Sequence, residues 1–78
     1  MTKRDKLWQK TKTSPQNLTV EEFETILQQC NWTLARQKGS HRLWVSANGI
    51  ALPIQPRKDG TAKPYQVKQF LAYQEGNN

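Results

Sequence analysis

Residues 32–55 read WTLARQKGSHRLWVSANGIALPIQ, and the spacing of apolar positions in this stretch decides the fold. After Trp32 the apolar period changes from helical to alternating. Thr33 to Gln37 reads as a strand, Lys38-Gly39-Ser40 as a turn, and His41 to Ser46 as a second strand rich in β-formers. Asn48-Gly49 is the next hairpin signal, and it predicts a type I′ turn with positive φ at both central residues. Ile50, Leu52 and Ile54 then alternate with Ala51, Pro53 and Gln55 as a third strand. Pro53 has no amide to donate, so this strand belongs at a sheet edge. Three antiparallel strands in meander order follow.

Helical signals flank the strands. Upstream, Leu18-Thr19-Val20-Glu21-Glu22-Phe23 has the pattern of a capping box with a hydrophobic staple, in which Thr19 and Glu22 satisfy each other's amides and Leu18 packs on Phe23. Val20, Phe23, Ile26, Leu27 and Cys30 recur at helical spacing, and the helix is expected to end near Asn31. Downstream, Pro56 to Lys63 reads as a polar basic loop. Pro64 then opens a second helix with Val67, Phe70 and Leu71 as its buried stripe and Gly76 as its stop. The order α-β-β-β-α predicts an α+β fold, a three-stranded antiparallel sheet with both helices on one face. That is the layout of a double-stranded-RNA-binding domain, which tracks phosphates and 2′-hydroxyls. Residues 1–17 form a basic N-terminal arm, either a short helix or frayed, and residues 18–76 one domain.

Size and composition narrow the function classes. A chain of 78 residues buries only about 60% of the surface its unfolded form exposes, so it builds one core and leaves little room for a dinucleotide. One Cys makes no internal disulfide, and one Cys with one His makes no structural zinc site, so a reduced, cytoplasmic domain without metal or cofactor is expected. Cys30, on the apolar stripe, reads as a small buried hydrophobe. No apolar run approaches the roughly 20 residues of a membrane span, and no apolar stretch of signal-peptide type follows the first basic residues, so a soluble, unexported chain is expected. The net charge of +6 is segregated: residues 1–17 carry +4, residues 18–34 carry −3 through Glu21, Glu22 and Glu24, and residues 35–78 carry +5. Two basic blocks favour a polyanionic partner, nucleic acid first, because neutralised phosphates release their counterions.

The residues permit little catalytic chemistry. Two-metal hydrolysis needs clustered carboxylates, and those outside the first helix are scattered. Ser40 and His41 are adjacent, so in a strand they point to opposite faces and form no nucleophile-base pair. What remains is His41, flanked by Lys38 and Arg42 and followed by the basic loop. An imidazole ordinarily titrates near pH 6.5, which suits proton transfer at neutral pH. RNA supplies its own nucleophile: a 2′-hydroxyl deprotonated by an imidazole attacks the adjacent phosphorus in line. The plainer reading of His41 is a strand residue bonded to a neighbour, and both stand at this point.

The stretch Arg36-Gln37-Lys38-Gly39-Ser40-His41, the preceding helix with Asn31-Trp32 at its exit, and Gly60-Thr61-Ala62-Lys63-Pro64-Tyr65-Gln66-Val67-Lys68-Gln69-Phe70-Leu71 together resemble the HicA toxins, small ribonucleases (mRNA interferases) of bacterial type II toxin–antitoxin systems. The likeness covers roughly Leu18 to Tyr73. It implies a fold like a double-stranded-RNA-binding domain, metal-independent mRNA cleavage with His41 as the catalytic residue, and a HicB-type antitoxin that masks the active site. The protein would then be a monomer when free and heteromeric with its antitoxin. Gly39 would permit the turn that presents His41, and Ser40 would orient the phosphate or the turn. Many family members carry a second His in a Pro-x-His pattern after the third strand, where this chain has Pro53-Ile54-Gln55. Lys63 and Tyr65, at the second helix start, are the candidates for stabilising the leaving group or phosphorane. Lys38, Arg42, Arg57 and Lys58 are the candidates for gripping RNA phosphates.

The tryptophans divide by position. Trp32 reads as core. Trp44 has the parity opposite to His41, Leu43 and Val45; if Leu43 and Val45 face the helices, His41 ends the covered face beside the second helix start and Trp44 is exposed, free to stack on a base or dock an antitoxin. Trp8 lies in the basic arm, which would add phosphate contacts, pack as a helix, or do neither. Two alternatives to the ribonuclease remain: a non-catalytic RNA-binding domain of the same fold, and a docking domain for an acidic protein.

Overall fold

The computed structural model describes residues 3–76. In chain order its elements are α1 (Lys3–Thr13), a 3-10 turn (Pro15–Asn17), α2 (Val20–Gln29), β1 (Thr33–Lys38), β2 (His41–Val45), β3 (Ala51–Ile54) and α3 (Pro64–Gly76). Within the basic arm, Lys3–Thr13 is helical. Leu7 and Trp8 turn inward against the core, and Thr11, fully buried, returns its hydroxyl to the Leu7 carbonyl at 2.8 Å.

Both ends of α2 form as local chemistry dictates. At its start the Thr19 hydroxyl accepts from the Glu22 amide at 3.1 Å, and Glu22 Oε1 accepts from the Thr19 amide at 3.0 Å. Glu22 also receives Lys10 Nζ of α1, at 3.0 and 3.1 Å, so one carboxylate caps α2 and fastens α1 to it. Burial alone would raise the Glu22 carboxyl, but the Thr19 amide and the Lys10 ammonium outweigh it and hold the group below its ordinary 4.5. A lowered native pKa adds stability that is present above the unfolded value and lost as pH falls below it. Glu22→Gln keeps an acceptor for the Thr19 amide and loses the charge. It is expected to be less stable than wild type at pH 7 in urea denaturation, with the gap closing toward pH 3. A gap that persists unchanged at pH 3 would show that the charge is not its source.

At the other end the last helical residue is Gln29, two short of the expected Asn31. Asn31 takes the left-handed conformation, φ 67°, its amide bonds the Gln28 carbonyl at 3.1 Å, and the Trp32 amide bonds the Leu27 carbonyl at 2.9 Å. This is a Schellman cap with Asn in the position usually given to Gly. It turns the chain sharply into β1 and buries Trp32, whose Nε1 donates to Gln74 of α3 at 2.9 Å.

The sheet order is β1-β2-β3, antiparallel throughout, with Pro53 on an edge strand. Lys38 pairs with His41, so the β1–β2 turn is the two residues Gly39 and Ser40, with φ 60° at Gly39, the Gly-first pattern of a type II′ turn. The β2–β3 turn differs from expectation. Only Gly49 has positive φ, 85°, and Asn48 does not. The Gly49 amide bonds the Ser46 carbonyl at 3.0 Å and the Ser46 amide bonds the Ile50 carbonyl at 2.9 Å, a type I turn followed by a left-handed glycine. Ser46 Oγ accepts from the Asn48 and Ile50 amides, at 3.2 and 3.0 Å. That side chain stabilises the longer turn, so Asn48 need not adopt positive φ.

Trp44, Leu52 and Ile54 share the face covered by α2 and α3, packed with Phe23, Ile26, Leu27, Val67 and Phe70. This corrects the conditional placement of β2. Trp44 is buried, with Nε1 donating to Glu24 of α2 at 3.1 Å, and His41, Leu43 and Val45 take the opposite, outer face. A bulge in β1 completes the pattern: Leu34 pairs with Trp44 and Arg36 with Leu43, leaving Ala35 unopposed. The extra residue shifts parity, so Arg36 and Lys38 face outward although Leu34, at the same sequence spacing, does not.

Candidate functional site

The outer face of the sheet follows from the register. His41 lies opposite Lys38, Leu43 lies between Arg36 and Pro53, and Val45 lies between Thr33 and Ala51. The face is cationic at its turn end, apolar behind, and carries no Asp or Glu. A depression of about 110 Å³ at the cationic end is lined by Arg36, Lys38, His41, Arg42, Leu43 and Pro53. Gly39 and Ser40 are exposed and lead directly into His41. A side chain at Gly39 would meet nothing within 4 Å, so backbone φ rather than space is what requires glycine there.

Arg42 points inward as well as along the site. Its Nε lies 3.4 Å from Glu24 Oε2, the oxygen that Trp44 also reaches, and Nη1 is buried without a hydrogen-bond partner. The guanidinium is thus largely committed to α2, and among the phosphate-binding candidates it is the one most enclosed.

The basic loop is a third tight hairpin. The Gly60 amide bonds the Arg57 carbonyl at 2.9 Å, the Arg57 amide bonds the Thr61 carbonyl at 2.8 Å, and Gly60 has φ 85°, the same turn design as at Ser46. Asp59 Oδ1 accepts from the Thr61 hydroxyl at 2.6 Å and the Thr61 amide at 3.0 Å, and these bonds hold the Asp59 carboxyl below its ordinary value. Backbone bonds from Val20 to the Gly60 carbonyl, 3.1 Å, and from Ala62 to the Leu18 carbonyl, 2.8 Å, anchor the hairpin beside the start of α2. Arg57, Lys58 and Asp59 stand exposed at its tip. Asp59-Gly60 is the signal that a reading of this segment as an irregular loop overlooks.

Lys63 and Tyr65 lie where α3 begins. Lys63 Nζ is 3.4 Å from Gln55 Oε1, the Gln55 amide donates to Gln66 Oε1 at 3.4 Å, and Tyr65 is 63% exposed. The pairing of β3 with β2 ends at Ile54 opposite Arg42, one residue from His41, and Gln55 follows directly. Gln55 thereby links Lys63 to the end of the sheet that carries the imidazole. The β1–β2 turn, the 57–61 hairpin and the start of α3 thus gather at one end of the sheet. Of the candidates, Lys38, Gly39, Ser40 and His41 form one cluster; Arg57 and Lys58 form another, and Lys63 and Tyr65 a third. Arg36 joins the first cluster, and reading β1 as a plain alternating strand conceals it because the bulge reverses its face.

Among the described residues no three His, Cys, Asp or Glu side chains gather to hold a metal ion, and no helix is long and apolar enough to cross a membrane. Comparisons with curated proteins and with solved structures give no match. A family model does match: the one described as the HicA toxin of bacterial toxin–antitoxin systems aligns with residues 20–74, from the first residue of α2 to the last turns of α3, and the chain belongs to that HicA family.

Proposed function

We propose that this HicA-family toxin is a metal-independent endoribonuclease that cleaves mRNA in the cytoplasm, with His41 as the proton-transfer residue, and that a HicB-type antitoxin neutralises it by covering the same face. Free, it is a monomer; with its antitoxin it is heteromeric. Residues 18–76 are the working domain, and residues 1–17 are an addition whose helix α1 packs on it through Leu7 and Trp8.

The observation that supports this reading is the setting of His41: an exposed imidazole opposite Lys38 in a depression free of carboxylates. In the reaction, imidazole takes the 2′-hydroxyl proton, the 2′-oxygen bonds to the adjacent phosphorus, and the bond from phosphorus to the 5′-oxygen breaks. The leaving oxygen takes a proton from solvent, to which the imidazolium gives up its own, and the products are a 2′,3′-cyclic phosphate and a 5′-hydroxyl end. Charge grows on the phosphoryl oxygens in the transition state, where fixed cations stabilise it most. Lys38 and the Gly39-Ser40 turn receive the scissile phosphate, and Arg57 and Lys58 hold phosphates farther along the strand. Lys63, bonded to Gln55 just past β3, and Tyr65 serve the leaving side.

Incubating the purified protein with RNA in EDTA tests the proposal. Cleavage to cyclic-phosphate ends is expected. Intact RNA retained with salt-dependent affinity would instead favour a non-catalytic RNA-binding domain.

A further inference from the structure

We infer that Arg36 clamps the scissile phosphate against His41, a role that rests on the ribonuclease reading above. The β1 bulge puts Arg36 on the outer face, in the same depression as His41 and Lys38. Lys38 is the direct cross-strand neighbour of His41, which makes Arg36 its diagonal neighbour. Diagonal pairs on one sheet face stand roughly 7–8 Å apart, a gap that long side chains span. That gap suits a phosphate held between an imidazole on one side and a guanidinium on the other. No acidic side chain shares the face, so the Arg36 charge is directed at whatever the depression holds.

The choice of Arg36 over the other cations is chemical. A guanidinium presents a planar fork that grips two phosphoryl oxygens at once, whereas an ammonium is a point charge. The other nearby guanidinium, Arg42, is drawn to Glu24. Beside Arg36, Leu43 and Pro53 supply the apolar part of the depression's lining. The bulge thereby has a use: without it, strand alternation would turn Arg36 to the helix side with Leu34.

Single-turnover cleavage by wild type, Arg36→Ala, Arg36→Lys and His41→Ala, each over a range of RNA concentrations, tests the assignment. Arg36→Ala is expected to melt like wild type and to cleave about 100-fold more slowly at saturating RNA, the effect of removing one donor to a developing oxyanion. Arg36→Lys should recover less than tenfold of that loss. Wild-type rates for Arg36→Ala at saturating RNA overturn the clamp, because the side chain then contributes only uniform binding. Full recovery by Arg36→Lys overturns it too, since a point charge would suffice. If His41→Ala is inactive while Arg36→Ala is fully active, the clamp fails and the ribonuclease reading stands. If wild type cleaves nothing, both fail.

Discussion

Replacing His41 with alanine is expected to abolish RNA cleavage and growth inhibition while leaving the protein folded and able to bind RNA. The side chain is exposed on the outer sheet face, and its removal touches none of the buried residues that form the core. Surface substitutions of this kind usually change stability by less than about 0.5 kcal/mol. Removing a proton-transfer group costs on the order of 10²–10⁴ in rate. No other imidazole exists in the chain to take over. Lys38, Arg57 and Lys58 remain, so salt-dependent RNA retention should persist. Induced expression of wild type beside His41→Ala, with a thermal melt of each purified protein, reads all three quantities. Growth inhibition by the variant equal to that of wild type would exclude His41 as the catalyst.

That prediction could be written from Gly39-Ser40-His41 alone, yet the face on which it plays out could not. Alternation in His41 to Val45 separates the set His41, Leu43, Val45 from the set Arg42, Trp44, but it does not say which set is covered, because both contain large apolar side chains. Tertiary contacts decide it. Glu24 projects from α2 at the height where it meets both Arg42 and the Trp44 indole nitrogen, so burying Trp44 satisfies its one polar atom and burying the other set would not. The capping box, the meander and the edge position of Pro53 were all readable, since each rests on local chemistry or on a strict period of two. The β1 bulge was not, because a bulge leaves composition unchanged and shifts only the pairing.

The charge pattern is organised by the same packing. Two of the three α2 glutamates are used internally, Glu22 by Lys10 and the α2 cap, Glu24 by Arg42 and Trp44. The acidic block of the sequence is therefore taken up largely in packing contacts, although α2 begins beside the 57–61 hairpin. It binds α1 and β2 to α2, and the turn, the 57–61 hairpin and Arg36 keep their charge outward. A domain this small needs such economy, since the faces that hold it together and the face offered to an anion are separated by a single sheet.

Phe70→Ala is expected to bring the domain to the edge of unfolding. The ring is fully buried and stands at the junction of four elements: edge-on to Phe23 of α2 at 5.6 Å, to Trp32 at the entry to β1 at 5.8 Å, and to Trp8 of α1 at 6.3 Å. Truncating a buried Phe costs about 3–5 kcal/mol, and the lost edge-to-face pairs place this site toward the upper end. A 78-residue domain has a total stability of roughly 4–12 kcal/mol. The melting temperature should therefore fall by roughly 15–40 °C, taking about 4–8 °C per kcal/mol for a domain of this size. Trp8 and Trp32 both touch the ring, so tryptophan emission should shift toward that of exposed indole at the same temperature at which helical signal is lost. Phe70→Leu keeps most of the volume and should lose less than half as much. A melting temperature for Phe70→Ala within a few degrees of wild type would mean that α1, α2 and α3 do not share one core through this ring. Loss of growth inhibition in this variant should track loss of fold, in contrast to His41→Ala, where the fold persists and the chemistry does not.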